Sequence, residues 1–156
     1  MKKQLTQSQM LLWMGQQLNP RSPLYNMAFL FELVGKLEPL TFQMAFAKLV
    51  ERNDAMRLVF RISDGKPQQV IQEDFQHSLQ ILDWRNSAYS EEEIHVWATQ
   101  RSEQLFDLEA CCFDSVLIQL DEDRHLWYLN QHHLITDGWS ITVLYQAVME
   151  YYQLTL

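Results

Sequence analysis

One heptapeptide, His-His-Leu-Ile-Thr-Asp-Gly at residues 132–138, constrains this chain more than any other stretch. An apolar run at residues 126–129 precedes it and predicts a strand, and an apolar-periodic run at residues 139–152 follows it and predicts a helix. A strand that enters an Asp-Gly turn fixes a neighbouring imidazole at the strand end, where it can act near neutral pH as a general base or an electrostatic donor. A His-His pair alone is more often a packed or surface feature, so it is the full pattern in this context that indicates chemistry.

The spacing of apolar residues predicts alternating helices and strands along the whole chain. Four helices are predicted. The first covers residues 9–18, with Thr6 or Ser8 as its cap, and the second covers residues 40–51. The third follows the capping box that begins at Ser90, and the fourth begins at about Trp139. Strands are predicted at residues 25–34, 56–62, 68–72, 79–82, 113–120 and 125–131, with Asp64-Gly65 as a hairpin turn. This order predicts an α/β protein, an α+β sandwich in which helices pack on a mixed, largely antiparallel sheet.

Composition limits the partners that this chain can have. Its 156 residues, of which 47% are hydrophobic, are enough for one globular unit with a proper core. A net charge of -8 argues against nucleic acid and against anionic membranes, because binding phosphates requires a basic patch. We find neither an apolar run long enough for a membrane span nor the apolar segment of a secretory signal, so we expect a cytoplasmic protein without a membrane partner.

The cysteines and histidines do not form a metal-binding pattern. Cys111 and Cys112 are the only cysteines, and their adjacency favours small apolar residues entering a strand over a disulfide or a zinc site. His132 and His133 are neighbours, so on a strand they point to opposite faces and cannot readily share an ion. We expect no metal. The remaining histidines, at 77, 95 and 125, are expected at the surface, and most of the five tryptophans in or beside the core.

Four segments, in order along the chain, resemble the condensation domains of nonribosomal peptide synthetases, which belong to the chloramphenicol acetyltransferase-like superfamily. Residues 130–140 (Asn-Gln-His-His-Leu-Ile-Thr-Asp-Gly-Trp-Ser) contain the HHxxxDG signature of that family. Residues 6–13 (Thr-Gln-Ser-Gln-Met-Leu-Leu-Trp) are similar to its opening S-x-A-Q-x-R-L-W, with Leu11 where arginine is usual. Residues 52–60 resemble R-H-E-x-L-R-x-x-F, with Asn53-Asp54 replacing His-Glu, and residues 106–108 match its F-D-L segment.

The resemblance implies a chloramphenicol acetyltransferase-like lobe and an enzyme that forms amide bonds. In this reaction an acceptor amine carried on one phosphopantetheine arm attacks a donor acyl thioester carried on another arm. The implied partners are peptidyl and aminoacyl carrier proteins and a downstream adenylation domain, and no cofactor is expected to be bound by the chain itself. Such synthetases make antibiotics and other secondary metabolites.

The resemblance also assigns roles within the motif. His133 matches the active-site residue, either as general base for the amine or as a group that orients the amine and stabilises the intermediate. His132 is expected to be structural, and Asp137 is expected to form a buried ion pair with Arg57. Gly138 would allow the backbone to approach a substrate closely at a helix N-terminus, where exposed N–H groups could polarise a carbonyl. Simple turn chemistry explains this glycine equally well. The residues that follow it, Trp139 and Ser140, are candidates for lining a substrate tunnel.

The chain is expected to be the N-terminal lobe, residues 1–156, of a condensation domain whose C-terminal lobe is absent. The second lobe of these domains forms one wall of the active-site tunnel, so the lobe alone is expected to fold but not to catalyse condensation. Its exposed face is expected to promote self-association.

Three alternative functions remain open from the sequence. These are an epimerisation domain, which shares the histidine pattern, an acyltransferase that uses soluble acyl-coenzyme A, and a lobe that only docks other domains. Cyclisation domains are disfavoured, since they carry aspartate in place of the motif histidines.

Overall fold

The helices and strands follow the predicted order closely. A computed structural model describes residues 2–75, 77–87 and 89–155. The helices are α1 (Gln7–Leu18), α2 (Pro39–Arg52), α3 (Glu91–Ser102) and α4 (Gly138–Thr155), with a 3-10 helix at Asp54–Arg57. The strands are β1 (Lys2–Gln4), β2 (Asn26–Val34), β3 (Leu58–Ser63), β4 (Lys66–Ile71), β5 (Gln80–Asp83), β6 (Phe113–Gln119) and β7 (Arg124–His132).

The strands form two sheets, where the sequence predicted one. The larger sheet has the order β2-β7-β6-β5, and the smaller has the order β1-β4-β3. All pairings are antiparallel except that of β5 with β6, so the prediction of a mixed, largely antiparallel fold is confirmed. Strand β1 was not predicted, and it pairs with β4.

Strand β7 is the central element of the larger sheet. It lies between β2 and β6, and every residue of it except the first is buried. On one face of the sheet, helices α2 and α4 cover the side chain of Trp127, which contacts the rings of Phe42 and Phe46. On the other face, α3 covers Tyr128, which contacts Trp97. Because both faces are covered, the middle of β7, residues 126–129, is an uninterrupted apolar run.

Local sequence signals define the ends of several elements. Thr6 and Ser90 cap α1 and α3, each in a reciprocal capping box with the residue three positions later, so Thr6 and not Ser8 is the cap of α1. The β3–β4 hairpin turns at Asp64 (φ 53°) and Gly65 (φ 72°), the pair of positive φ values that a two-residue type I′ turn needs. The predicted hairpin is confirmed.

One group of surface predictions was wrong. His125, expected at the surface, is completely buried in β7, and His77 is partly buried, whereas His95 is exposed as expected. Burial lowers the pKa values of both His125 and His77, because the charged imidazole loses its hydration. Of the tryptophans, Trp139 is 78% exposed, and the other four are buried or partly buried as predicted.

Candidate functional site

The histidine motif lies at the end of the central strand. β7 ends at His132, residues 133–137 connect it to the next helix, and α4 begins at Gly138. A backbone hydrogen bond from the His133 N–H to the carbonyl oxygen of Tyr25 (2.8 Å) continues the pairing of β7 with the chain that enters β2. The two histidines are therefore fixed on opposite sides of an ordered strand end, as the sequence predicted.

His132 points away from the exposed side of the turn, towards α1. Its ring is 2% exposed; Nδ1 accepts the N–H of Leu134 (3.1 Å), and Nε2 lies 3.1 Å from Oε1 of Gln16. Since Nδ1 accepts a hydrogen bond, the neutral ring carries its proton on Nε2 and donates it to Gln16. Burial, together with the neighbouring His133, lowers the pKa of His132 to about 4. This histidine is a neutral structural group at physiological pH.

His133 has the opposite arrangement. It is half-buried, and its Nδ1 lies 2.6 Å from the carbonyl oxygen of Thr136. A carbonyl oxygen can only accept, so Nδ1 carries the proton and Nε2 of the neutral ring has a free lone pair. Nε2 makes no hydrogen bond to the described residues. The turn thus holds the ring in the tautomer and orientation of a hydrogen-bond acceptor or base.

Asp137 has a different role from the one predicted. Its Oδ1 accepts the backbone N–H (2.8 Å) and the hydroxyl (2.6 Å) of Ser140, so it is the N-cap of α4, and these bonds lower its pKa. Arg57 instead pairs with Asp54 (2.6 Å), three residues earlier in the same 3-10 helix, and its Nη1 donates to the carbonyl oxygen of Gln72.

The predicted buried ion pair between Asp137 and Arg57 is therefore wrong. Each of the two side chains has a closer partner in its own segment, and Asp137 is exposed to solvent.

The residues after the cap are open to solvent. A Cβ atom added to Gly138 would have no described heavy atom within 4 Å, and this glycine does not have positive φ. Neither steric crowding within the chain nor backbone strain explains the glycine. Trp139 is largely exposed beside it, whereas Ser140 is half-buried and held by the Asp137 carboxylate.

Two supporting residues were missed in the sequence. Gln16 accepts the Nε2 proton of His132. Tyr25 holds the His133 backbone, and its ring lies 6.0 Å from that of His132. A Cβ atom on Gly15 would lie only 2.0 Å from the Tyr25 hydroxyl, so a larger residue in α1 would force this ring to shift. The helical pattern places Gly15 and Gln16 on α1, but no local signal reports which distant ring they contact.

Two small cavities flank the motif, one on each face of the sheet. A cavity of about 200 Å³ lies beside His132, between α1 and residues 105–109. A second, of about 150 Å³, lies between the 3-10 helix, the end of β7 and the first turns of α4. We call the second one the α4 cavity. Its lining residues are Asn53, Ala55, Met56, Gln131, Ile135, Trp139, Ser140, Val143 and Leu144.

Membrane-spanning and metal-binding features are both absent from the described residues. None of the helices in this part of the chain is long and apolar enough to cross a membrane. The same residues contain no group of three or more His, Cys, Asp or Glu side chains placed to hold a metal ion.

The comparison with known proteins identifies the family. The family model for the condensation domain matches residues 2–156. This chain belongs to the condensation-domain family. It is 32% identical over 155 residues to a linear gramicidin synthase of Brevibacillus parabrevis, and 36% identical over 132 residues to gramicidin S synthase 2 of Brevibacillus brevis. These alignments cover 97% and 83% of this chain but only 3% of each synthase.

The solved structures agree with this fold. The starter condensation domain of rhizomide synthetase superposes with a TM-score of 0.89 at 28% identity, over 97% of this chain and 39% of that one. The predicted chloramphenicol acetyltransferase-like fold is confirmed. The chain thus spans well under half of the solved condensation domain and a few per cent of the synthases.

Proposed function

We propose that this chain is the histidine-bearing N-terminal lobe of a condensation domain in a nonribosomal peptide synthetase. The whole domain would join a donor acyl thioester to an acceptor amine, each carried on the phosphopantetheine arm of a carrier protein. The observation that carries the proposal is the state of His133. Its Nδ1 is held by the carbonyl oxygen of Thr136, and its Nε2 is left free at the end of a buried strand.

The free Nε2 suits the charge changes of amide formation. As the amine nitrogen attacks the thioester carbon, it gains positive charge, and an N–H of the amine can donate to Nε2 of His133. Collapse of the tetrahedral intermediate breaks the C–S bond, forms the amide and leaves the amine proton with the released thiol. The anchored tautomer serves both open roles, because a base and an orienting acceptor need the same lone pair.

The N-terminus of α4 is poorly placed to stabilise an oxyanion. The carboxylate of Asp137 already accepts the N–H of Ser140, and its negative charge offsets the positive end of the helix dipole. We therefore assign stabilisation of the anionic oxygen to groups outside this helix end. The open space at Gly138 is where a substrate arm can pass close to the backbone.

A single lobe leaves the reaction incompletely organised. Aligning two tethered reactants can contribute up to about 7–11 kcal/mol of barrier reduction, and that alignment needs walls on both sides of the arms. We propose that the C-terminal lobe, carrier proteins and an adenylation domain complete the machinery in a cytoplasmic synthetase, and that this chain alone does not turn over.

Exposed apolar residues indicate that part of this surface is covered in the complete domain. Helix α1 exposes three such residues at helical spacing on one side, Leu11 (72%), Met14 (55%) and Leu18 (79%). The large exposed ring of Trp139 adds to the apolar surface beside the motif. A patch of this kind on an isolated lobe is expected to promote self-association.

The test compares two histidine variants in the intact parent domain. His133→Ala should reduce amide product from loaded donor and acceptor carrier proteins by about 10²–10⁴-fold, the usual worth of a positioned acid or base. His95→Ala is the matched control, since His95 is an exposed histidine on α3. Product is measured by mass spectrometry, and circular dichroism checks the folding of each variant. Wild-type condensation by folded His133→Ala would refute the proposal.

A further inference from the structure

The α4 cavity has the size of a single aromatic ring. Its volume of about 150 Å³ is similar to that of an engineered core cavity that binds benzene. Most of its lining is apolar, including Met56, Ile135, Val143 and Leu144. Trp139 and Val143, both exposed, flank its opening, while Gln131, which is 1% exposed, lies at its buried end.

Three polar side chains line this cavity, and two of them are already bonded. Oδ1 of Asn53 accepts the N–H of Ala55 (3.0 Å), and the hydroxyl of Ser140 donates to the cap carboxylate (2.6 Å). The third is Gln131, whose Nε2 lies 3.0 Å from the sulfur of Met56. Its Oε1 is buried and has no partner among the described residues. Leaving such an oxygen unpaired is costly, so it marks where a donor is missing.

The cavity lies on the same face of the sheet as the candidate catalytic ring. Gln131 lies near the end of β7, and His133 follows its last residue, where the backbone bond to Tyr25 continues the strand pairing. Side chains two residues apart on an extended chain point to the same face and lie about 7 Å apart along it. This is the face covered by α4, whereas His132 points to the opposite face. A substituent held in the α4 cavity would thus lie on the same face of the sheet as the ring of His133.

We propose that the α4 cavity binds a phenol-sized substrate side chain whose hydroxyl donates a hydrogen bond to Oε1 of Gln131. The assignment of this group to a substrate rests on the proposed function, but the chemistry of the cavity does not. The ring would be enclosed by the apolar lining, and the hydroxyl would satisfy the one unpaired polar atom at the buried end. A site with a buried acceptor discriminates against analogues that lack the donor.

The first experiment needs neither carrier proteins nor catalysis. The 156-residue chain is titrated with p-cresol and, separately, with toluene, and binding is followed by NMR shifts of the cavity residues, including the Trp139 indole. We expect p-cresol to bind at least about tenfold more tightly than toluene, because toluene leaves Oε1 unpaired. Equal affinities, or p-cresol shifts confined to other parts of the chain, would overturn the proposal.

Two variants test separately the hydrogen bond to Gln131 and the volume of the α4 cavity. Gln131→Met keeps the volume but removes the amide, so the preference for p-cresol should fall to about one or reverse while toluene still binds. Ala55→Leu fills the cavity and should weaken both probes together. If Gln131→Met does not fold, the ratio of the two affinities in the wild type and the Ala55→Leu result still test the proposal. Probes that bind Ala55→Leu as tightly as they bind the wild type occupy another site.

A second experiment asks which substrate carries the ring. In the intact domain, tyrosyl and phenylalanyl groups are compared first as acceptor and then as donor. A preference for tyrosine in one arm supports the proposal and assigns the cavity to that substrate, and its loss in Gln131→Met ties the preference to the amide. Equal rates in both arms would overturn the substrate assignment. Failure of the proposed function is recognised separately, by condensation in His133→Ala.

Discussion

Mild acid should destabilise this protein through one buried ring, that of His132. In the unfolded chain its pKa is near 6.5, and in the folded chain burial lowers it to about 4. Between these two pH values the unfolded state binds a proton that the folded state does not, so the free energy of unfolding rises with pH. The contribution of His132 to the free energy of unfolding is therefore fully present above pH 6.5 and is lost as the pH falls towards 4.

The size of the effect follows from the pKa values. A tenfold change in a protonation constant corresponds to about 1.4 kcal/mol, so this shift makes His132 worth about 3 kcal/mol over the whole window. The ring is 2% exposed, so solvent screening does not reduce this figure. For a protein of this size the same loss lowers Tm by roughly 6–12 °C.

The assay is urea denaturation at several pH values between about 4.5 and 7, with His132→Asn as the comparison. The asparagine oxygen can still accept the N–H of Leu134, but the side chain does not titrate. The variant should be less stable at neutral pH, and its stability should depend less on pH. Part of the slope will persist in both proteins, because burial also lowers the pKa values of His125 and His77. Equal slopes for wild type and variant would refute the reasoning.

Three further predictions concern stability and are checked by thermal or urea denaturation. Gly15→Ala should destabilise the chain by about 1 kcal/mol, although alanine has the better helix propensity. Adding Tyr25→Phe should recover part of that loss, because it removes the hydroxyl that lies 2.0 Å from the new Cβ. An unchanged stability in Gly15→Ala would refute the close packing. Asp137→Ala should lower Tm by only about 2–4 °C, because it removes one helix cap. A much larger fall would contradict this and indicate a buried ion pair of Asp137 with Arg57. Arg101→Met should lower the free energy of unfolding by about 1.5–3 kcal/mol, because the partly buried Asp114 carboxylate loses its bidentate guanidinium partner. An unchanged denaturation midpoint would contradict this.

The sequence determined the features whose causes lie within a few residues. The capping boxes at Thr6 and Ser90, the hairpin turn at Asp64-Gly65 and the strand over the apolar residues 126–129 each depend on a local pattern. Each is present in the structure. The family could also be read from the sequence, because its histidine motif and its other segments follow the expected order along the chain. The opposite directions of the two motif histidines followed from the two-residue period of a strand.

Tertiary structure decided which distant groups meet. Gln16 and His132 are 116 residues apart, and only the packing of α1 against β7 shows that they bond. The same holds for the pairing of β1 with β4, the parallel pairing of β5 with β6, the burial of His125 and the Gln131 end of the α4 cavity. Asp137 shows the converse, since a local cap displaced the distant partner that family resemblance had suggested. Local patterns record backbone preference and burial, whereas the choice of partner depends on which elements the whole fold brings together.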